Sequence, residues 1–319
     1  MRASFILGCT PIVLALACGA PPTPAVTPAE VAVATSRATP VRAEVVVPPG
    51  HVLFEHHTPK VGEELHAETF AESRFDEMQG EHAGSSYHSL YTATILEASR
   101  DAVTRVRVTF GENTRRVLGA AEFNENATPL RGRTLILETA PEPRVLDEAG
   151  ARVPRDVETL ALDIFSDLGM RGGVSASLPD APLGVGARVD PFAQAVVRTL
   201  NAKTWTVTRG EARIERVLPE AAEISLAIAA TSESGLAMTW TGKAVVGTRT
   251  RRLDALMLDG AFTTPPPDRA RGRVRVARLV WVGARPDVNL GVTDPRHVEP
   301  RGSPSAPSPP PPAPGSPRP

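Results

Sequence analysis

Six of the seven histidines lie within one short part of the chain, which is the strongest concentration of metal-ligating side chains in the sequence. They are His51, His56, His57, His66, His82 and His88. Imidazoles from adjacent strands can bind a divalent ion, with an oxygen ligand from Glu55, Glu64 or Glu68. However, His56 and His57 are neighbours that would point apart in a strand, and neither HExxH nor His-x-His spacing occurs. We therefore interpret the histidines as solvated side chains and predict no metal site and no cofactor.

The sequence also lacks the motifs of common enzymes. It contains no G-x-S-x-G nucleophile elbow, no Ser-x-x-Lys pair and no phosphate-binding loop. Gly184 and Gly186 match the first half of a dinucleotide-binding pattern, but they follow a proline-rich link, which indicates a turn. We therefore expect a protein that is not an enzyme, and a metal-dependent hydrolase built on the 51–88 histidines is the alternative.

Two arginine-rich runs, Arg249–Arg252 and Arg271–Arg278, are the other charged features. Such arginines can contact anionic headgroups or peptidoglycan, but alternating arginines are more typical of the solvated face of a strand, which we favour. The chain has 35 basic and 36 acidic residues, so no global field attracts nucleic acid. We predict no nucleic-acid partner.

Residues 1–17 have the features of a secretory signal peptide. Arg2 precedes an apolar run that is too short to span a membrane as a stable anchor. Ala15-Leu16-Ala17 directly precedes Cys18 and resembles the lipobox of bacterial lipoproteins, with alanine where those signals usually have leucine. The resemblance implies that Cys18 is acylated, for instance with palmitate, and becomes the first mature residue. Ordinary signal-peptidase cleavage after Ala17 is the alternative.

Both ends of the chain are rich in proline. Seven of the 32 prolines lie in residues 21–50 and ten lie in residues 300–319, and such segments bury too little apolar surface to fold. We expect a lipidated cysteine and tether over 18–50, a β-rich body over 51–285 and a disordered tail over 286–319. The body has no cysteine and therefore no disulfide.

The stretch Pro154–Gly169 predicts one amphipathic helix. The helix itself is expected at about 155–168. Its apolar residues recur at helical spacing: Val157, Leu160, Ala161, Ile164, Phe165 and Leu168. Pro154 suits the first turn, and Gly169 suits a left-handed position at the end. We expect this helix to pack on the apolar face of a sheet as a plug, and a lid over a lipid-sized cavity is the alternative.

Alternating apolar and polar residues predict antiparallel strands on both sides of this helix. Before the helix, the predicted strands are 65–78, 85–97, 104–110 and 133–139, with turns at Gly80–Gly84 and Gly111–Asn113. After it, strands are predicted at 205–207, 214–218, 221–231, 236–243, 253–262 and 273–282, with a tight turn at Ser232–Gly235. The fold class is mainly β, as a curved antiparallel meander or half-barrel.

A short sequence echo divides the body into two halves, about 58–150 and 178–285. Pro59–Leu65 and Pro182–Val189 both place a proline shortly before Val-Gly and an apolar residue after it. Duplication would explain the echo, and chance similarity is the alternative.

With Cys18, the proline-rich tether and the long hairpin from Gly242 to Gly260, the chain resembles a group of uncharacterised bacterial lipoproteins. Their long antiparallel sheets are similar to the half-barrels of periplasmic lipoprotein carriers. The resemblance implies a non-enzymatic protein of the cell envelope, anchored by lipid, that shelters an apolar ligand or a partner segment. A structural spacer between membrane and cell wall is a further alternative. Gly19, where inner-membrane lipoproteins of enteric bacteria have aspartate, favours the outer membrane.

We predict that Cys18→Ala releases the protein into the soluble fraction of the envelope. Three acyl chains hold a protein on a membrane far more firmly than one, so extraction of the wild type should need detergent. Fractionation followed by immunoblotting checks this. Recovery of the wild type in a salt wash would contradict the lipobox assignment.

Overall fold

The computed structural model describes residues 47–76, 84–99, 102–118, 125–139, 142–166, 168–169, 173–200, 205–267 and 269–286. The described residues belong to one compact unit, which ends at Pro286. The predicted signal peptide, Cys18, His82 and almost all of the tether and tail lie outside the described residues. No helix in the described part is long and apolar enough to cross a membrane.

Strands and two α-helices make up the described body. The first half contains β1 (His51–Val52), β2 (Glu64–Phe75), β3 (Gly84–Ala98), β4 (Val103–Leu118), β5 (Glu125–Ala127), β6 (Thr134–Glu138), β7 (Arg144–Asp147) and helix α1 (Arg155–Ile164). The second half contains a 3-10 turn (Ser175–Ser177), β8 (Leu183–Gly184), helix α2 (Asp190–Thr199), β9 (Trp205–Val217), β10 (Ala221–Ser232), β11 (Ala237–Gly247), β12 (Leu253–Thr263) and β13 (Arg271–Trp281).

Eleven of the strands form one antiparallel sheet. Its order is β7-β6-β4-β3-β2-β13-β12-β11-β10-β9, with β5 paired to β4, while β1 pairs with β8 separately. Each half is thus a meander, and the pairing of β2 with β13 joins the two. The predicted mainly β antiparallel meander is confirmed. Within the described residues β7 and β9 form its two edges, so the sheet is open.

The alternation of side chains gives the sheet two different faces. Ile224, Leu226 and Ile228 of β10 are buried on one face, as are Val106 and Val108 of β4. Both helices pack on this face, which we call the inner face, and the opposite one the outer face. The predicted in-and-out patterns of these strands are confirmed.

Glycines on the inner face permit sharp local bends. A Cβ at Gly242 would lie 1.9 Å from the carbonyl oxygen of Met257, and one at Gly260 would lie 2.2 Å from that of Thr239. Any residue with a Cβ at these two positions would force the neighbouring backbone to move. Glycines of this kind let a sheet kink and curve.

Helix α1 has the predicted stripe but is shorter than expected, since it ends at Ile164. Val157 and Ala161 are fully buried, whereas Phe165 and the other predicted apolar residues are partly buried against the same core. Gly169 has the predicted left-handed backbone, with φ of 77°, but it lies beyond the helix end.

A second helix, α2, was not predicted. The strand pairing expected after Val189 is limited to one bridge, from Arg188 to Arg213, because the chain turns into a helix at Asp190-Pro191. Phe192 and Val196 of α2 are fully buried against β9 and β10. Proline in the first turn and apolar residues four apart were the signals available in the sequence.

Two predicted breaks between strands were also wrong. Gly111–Asn113 is a bulge within β4, not a turn: Phe110 pairs with Tyr91 and Asn113 pairs with Ser89, and the strand continues to Leu118. Similarly, Trp205–Val217 is one strand with bulges instead of two strands. A bulge absorbs extra residues without ending the pairing.

The two Val-Gly segments of the echo form equivalent turns. The N–H of Gly62 donates to the Ile95 carbonyl at 2.8 Å, and the N–H of Gly186 donates to the Ile214 carbonyl at 2.8 Å. Both glycines have positive φ, 84° and 87°. The chain then continues as strand β2 after the first turn and as helix α2 after the second, so the likeness is confined to the turn.

A buried arginine ties the segments outside the sheet to the β11–β12 turn. Arg251 is 5% exposed and donates to the Phe54 carbonyl at 2.9 and 2.6 Å, to the Leu178 carbonyl at 3.4 Å and to Asp180. The sequence predicted a solvated arginine here, which is wrong for Arg251. The neighbouring Arg249 is exposed, as predicted.

We predict that Arg251→Met destabilises the protein by about 3 kcal/mol, because buried carbonyls lose their donor. The matched variant Arg249→Met should change the free energy of unfolding by less than about 0.5 kcal/mol. Urea unfolding of both variants checks this. Equal midpoints for the two would show that the Arg251 contacts contribute nothing to stability.

Candidate functional site

The helices leave part of the inner face uncovered. Helix α1 packs against β7, at one edge of the sheet, and α2 packs against β9 and β10 at the other. Inner-face residues of the central strands are only half-buried: Thr69, Ala71, Tyr87, Val274, Val276 and Arg278. We call these six residues the central patch.

A buried polar network borders the central patch on β3 and β4. The amide nitrogen of Asn113 donates to the Tyr87 hydroxyl at 3.0 Å and to Ser89 Oγ at 2.8 Å, while Thr128 donates to its amide oxygen. Asn113 is fully buried, and the bulge in β4 returns it to the inner face. Because both N–H donors of its amide are used, Asn113 holds the Tyr87 oxygen in place.

Burial raises the pKa of Tyr87 above its usual value, and hydrogen bonds from Ser89 and Asn113 oppose this effect. A tyrosine ordinarily loses its proton only near pH 10. Tyr87 is therefore a neutral hydroxyl donor at physiological pH.

Arg278 brings a positive charge to the same face. Its guanidinium donates to the Tyr91 hydroxyl at 3.2 Å, and Tyr91 in turn lies against Phe165, with ring centroids 5.0 Å apart. Tyr91 therefore links the end of α1 to the central patch.

The inner face carries a second arginine. Arg115 of β4 lies opposite Tyr87 in register, and no ion pair involving it occurs among the described residues. At the register-paired inner positions of β2–β4 and β9–β13, none of the residues is aspartate or glutamate. On the outer face, by contrast, Arg275 pairs with Asp259 at 2.7 Å and Arg216 pairs with Glu223 at 2.7 Å.

The other side of the central patch is apolar. Val274 lies opposite Gly260, which in turn lies opposite Trp240, and the Trp240 ring occupies the space that a side chain at Gly260 would need. The Trp240 and Trp205 rings lie 5.7 Å apart. Trp240 is 5% exposed, and its indole nitrogen has no hydrogen-bond partner within the described part of the chain.

The predicted arginine run on β13 is split between the two faces. Arg273 and Arg275 are exposed on the outer face, as predicted, whereas Arg278 has the opposite parity and lies on the inner face. Successive side chains of a strand point to opposite faces, so residue numbering alone would have placed Arg278 on the face opposite to Arg273 and Arg275. Arg115 and Asn113 could not be placed from the sequence, because the bulge in β4 was interpreted as a turn.

The structure does not bring the described histidines together. His51 lies on β1, His57 contacts Glu63 at 3.4 Å, and His66 stacks on Trp281 at 5.5 Å between ring centroids. His56 is exposed. Within the described ranges, no three histidine, cysteine or acidic side chains are grouped so that they could hold a metal ion.

His88 makes the most extensive contacts of these histidines. Its ring nitrogens lie 3.0 Å from Glu68 and 3.5 Å from Glu112 on the outer face, and Glu68 also contacts Arg285 at 2.7 Å. The hydrogen bond to Glu68 holds the pKa of His88 above its ordinary value, and the same bond lowers the pKa of Glu68. This cluster has the geometry of an ion-pair network that joins β2, β3 and β4.

The comparisons with known proteins do not identify a family. No protein-family model matches the sequence, and no curated protein matches it. Among solved structures, one described as lipid–protein interactions in lipovitellin is similar over 76% of this chain, with 7% identity and a TM-score of 0.36. The chain spans 26% of that chain's length, and a TM-score this low does not establish a shared fold.

We predict that His88→Gln lowers stability more near pH 6 than near pH 9. The raised pKa of His88 contributes stability that is fully present below about pH 6.5 and is lost as the pH rises through the folded-state pKa. The lowered pKa of Glu68 contributes above about pH 4.5 and is lost as the pH falls further. Thermal melts of wild type and variant across this range check the difference. A gap in melting temperature that does not depend on pH would contradict it.

Proposed function

We propose that this protein is a lipid-anchored protein of the bacterial cell envelope that holds an apolar ligand, or an apolar segment of a partner, against the central patch. The observation that carries the proposal is the uncovered inner face between α1 and α2. There, half-buried valines lie beside a tryptophan pair on one side and a satisfied polar network on the other.

Apolar side chains that stay half-buried on a sheet's packed face favour an occupant. Removing apolar surface from water contributes about 25 cal/mol per Å². Val274 and Val276 already pack against the core of the second half, so their exposed sides form a firm surface rather than a mobile one. Ligand sites of this kind are mostly apolar and contain a few fixed polar groups.

Helix α1 borders the proposed site through Phe165. This ring is only partly buried and contacts Tyr91, which also accepts a hydrogen bond from Arg278. An occupant of the central patch would lie beside Phe165. The end of α1 is therefore the part of the helix that would act as a border of the site, while Val157 and Ala161 anchor the helix in the core.

The sequence around Cys18 supports attachment to a membrane, and Gly19 favours the outer one. The tether over residues 18–50 would let the body stand away from the lipid surface and reach a ligand or a partner there. The proposed role is non-enzymatic, since holding an apolar occupant needs only the patch itself.

We predict that 11-bromo-1-undecanol binds the central patch and quenches tryptophan fluorescence. Trp205 and Trp240 lie on the inner face, whereas Trp281 lies on the outer face against His66. A bromine near the first two should quench them and spare the third. Titration below the micelle-forming concentration checks this.

Two variants locate the quenching. Trp205→Phe should remove a large part of the quenchable emission, while the matched variant Trp281→Phe should leave the quenched amount unchanged. If the saturable quenching disappears in Trp281→Phe instead, the ligand binds on the outer face, which would contradict the proposal. If neither the alcohol nor the corresponding acid gives saturable quenching, the proposed function is wrong.

A further inference from the structure

We infer that the occupant of the central patch is a neutral apolar molecule that carries a ketone or ester carbonyl, and that the Trp240 indole N–H donates a hydrogen bond to this oxygen. The inference rests on the proposed function and names the chemical class of the ligand. It makes Trp240 a specificity-determining residue of the site.

The indole nitrogen of Trp240 is a buried donor without an acceptor. Trp240 is 5% exposed, and no hydrogen-bond partner of its Nε1 occurs among the described residues. An indole N–H can only donate, and a buried donor that makes no hydrogen bond destabilises the folded protein. Buried polar groups in native proteins nearly always have a partner. A ligand oxygen beside this nitrogen would supply one.

The nitrogen lies at the edge of the Trp240 ring that is directed toward the central patch. A Cβ at Gly260 would lie 2.8 Å from Trp240 Cδ1, which is the ring carbon bonded to Nε1. This edge of the indole therefore lies over β12, and Gly260 pairs in turn with Val274 of the central patch on β13. Trp205, on β9, lies on the other side of β11. An occupant resting on Val274 thus comes beside the N–H edge of the ring.

The surroundings of this nitrogen contain no other polar side chain. The residues opposite and beside Trp240 in register have no side-chain oxygen or nitrogen: Ile228, Met238, Gly242, Gly260, Phe262 and Val274. The backbone groups of these strands bond to one another in the antiparallel ladder. This part of the site therefore offers a ligand one donor and no side-chain acceptor.

A carbonyl fits this arrangement better than a hydroxyl or a carboxylate. The oxygen of a ketone or an ester accepts the hydrogen bond and carries no proton of its own. The proton of a hydroxyl would find no side-chain acceptor beside Trp240, and an unpaired buried donor is unfavourable. A carboxylate would lose the water around its charge without a cation among these residues to replace it.

Met238 provides the adaptability that entry of the carbonyl requires. Nε1 is covered by neighbouring atoms, so a ligand reaches it only when a side chain moves. Met238 is half-buried on the same face, two residues from Trp240 along β11. Methionine is unbranched and has three rotatable bonds, whereas the nearby Val274 is stiff at χ1. We therefore expect Met238 to move and Val274 to remain as a wall of the site.

The test compares three neutral probes of similar shape: 2-undecanone, 2-methyl-1-undecene, in which a CH₂ group replaces the oxygen, and 2-undecanol. Each probe competes with 11-bromo-1-undecanol for the full-length Cys18→Ala protein, and recovery of tryptophan fluorescence gives its affinity. We expect the ketone to bind about tenfold more tightly than the alkene, and also more tightly than the alcohol. In the NMR spectrum of ¹⁵N-labelled protein, the ketone and not the alkene should move the Trp240 indole proton downfield, as a new hydrogen bond does.

Two variants assign the effect to Trp240. Trp240→Phe removes the donor but keeps an aromatic ring, so it should abolish the preference for the ketone while leaving affinity for the alkene within about twofold. Trp281→Phe is the matched control, because this ring lies on the outer face against His66, and it should leave the preference unchanged. If Trp240→Phe fails to fold, the wild-type spectrum still decides the question, since Trp205→Phe and Trp281→Phe identify the Trp240 signal by elimination.

The outcomes separate this inference from the proposed function. Equal affinities for ketone and alkene, with no downfield shift of the Trp240 signal, would overturn the carbonyl and leave the apolar site standing. A ketone preference that survives Trp240→Phe would assign the oxygen to another donor and overturn the role of Trp240. Equal affinities for ketone and alcohol would overturn the selection of a carbonyl. Absence of saturable binding by every probe, the bromoalcohol included, would overturn both proposals.

Discussion

The pairing of β2 with β13 is the interaction on which the rest of the structure depends. It runs without a break from Phe75 opposite Gly272 to His66 opposite Trp281 and joins the last of the described strands to the first long one. Gly272 permits this contact, because a Cβ there would lie 2.4 Å from the Arg74 carbonyl oxygen and 2.3 Å from the Phe262 ring. Without this pairing the two meanders would be separate sheets, and the central patch, which lies on both strands, would not exist.

Joining the halves in this way also explains where the uncovered surface lies. Each half has its own helix and its own buried core, with α1 over one and α2 over the other. Ala67 and Val280, at one end of the β2–β13 pairing, are buried in the core that includes α1, whereas Val274, Val276 and Ala71 further along the same pairing are only half-buried. Glu68, His88 and Glu112 form ion pairs on the outer face, while Arg278 and Arg115 lie on the inner face.

Much of this fold could be predicted from alternation alone, because each long strand buries one face. The positions of Ile224, Met238 and Trp240 followed directly from their spacing. The predictions failed where strand pairing, and not the periodicity of the sequence, decides the local structure. Gly111–Asn113 has turn composition, yet β3 holds it in the sheet as a bulge, and Asp190-Pro191 begins a helix where the preceding echo suggested a strand. The site depends on such places, since the bulge sets the face on which Asn113 and Arg115 lie.

Native mass spectrometry of protein purified from the envelope would show whether the inner face between α1 and α2 holds an apolar occupant. The Cys18→Ala form should be used, so that the protein's own acyl chains contribute no mass. We expect folded monomers that carry one apolar ligand, which dissociates on denaturation, and we expect less of it to be retained by a variant that fills the patch, such as Ala71→Trp. Folded monomers of bare mass, purified without detergent and equally so for both forms, would contradict it.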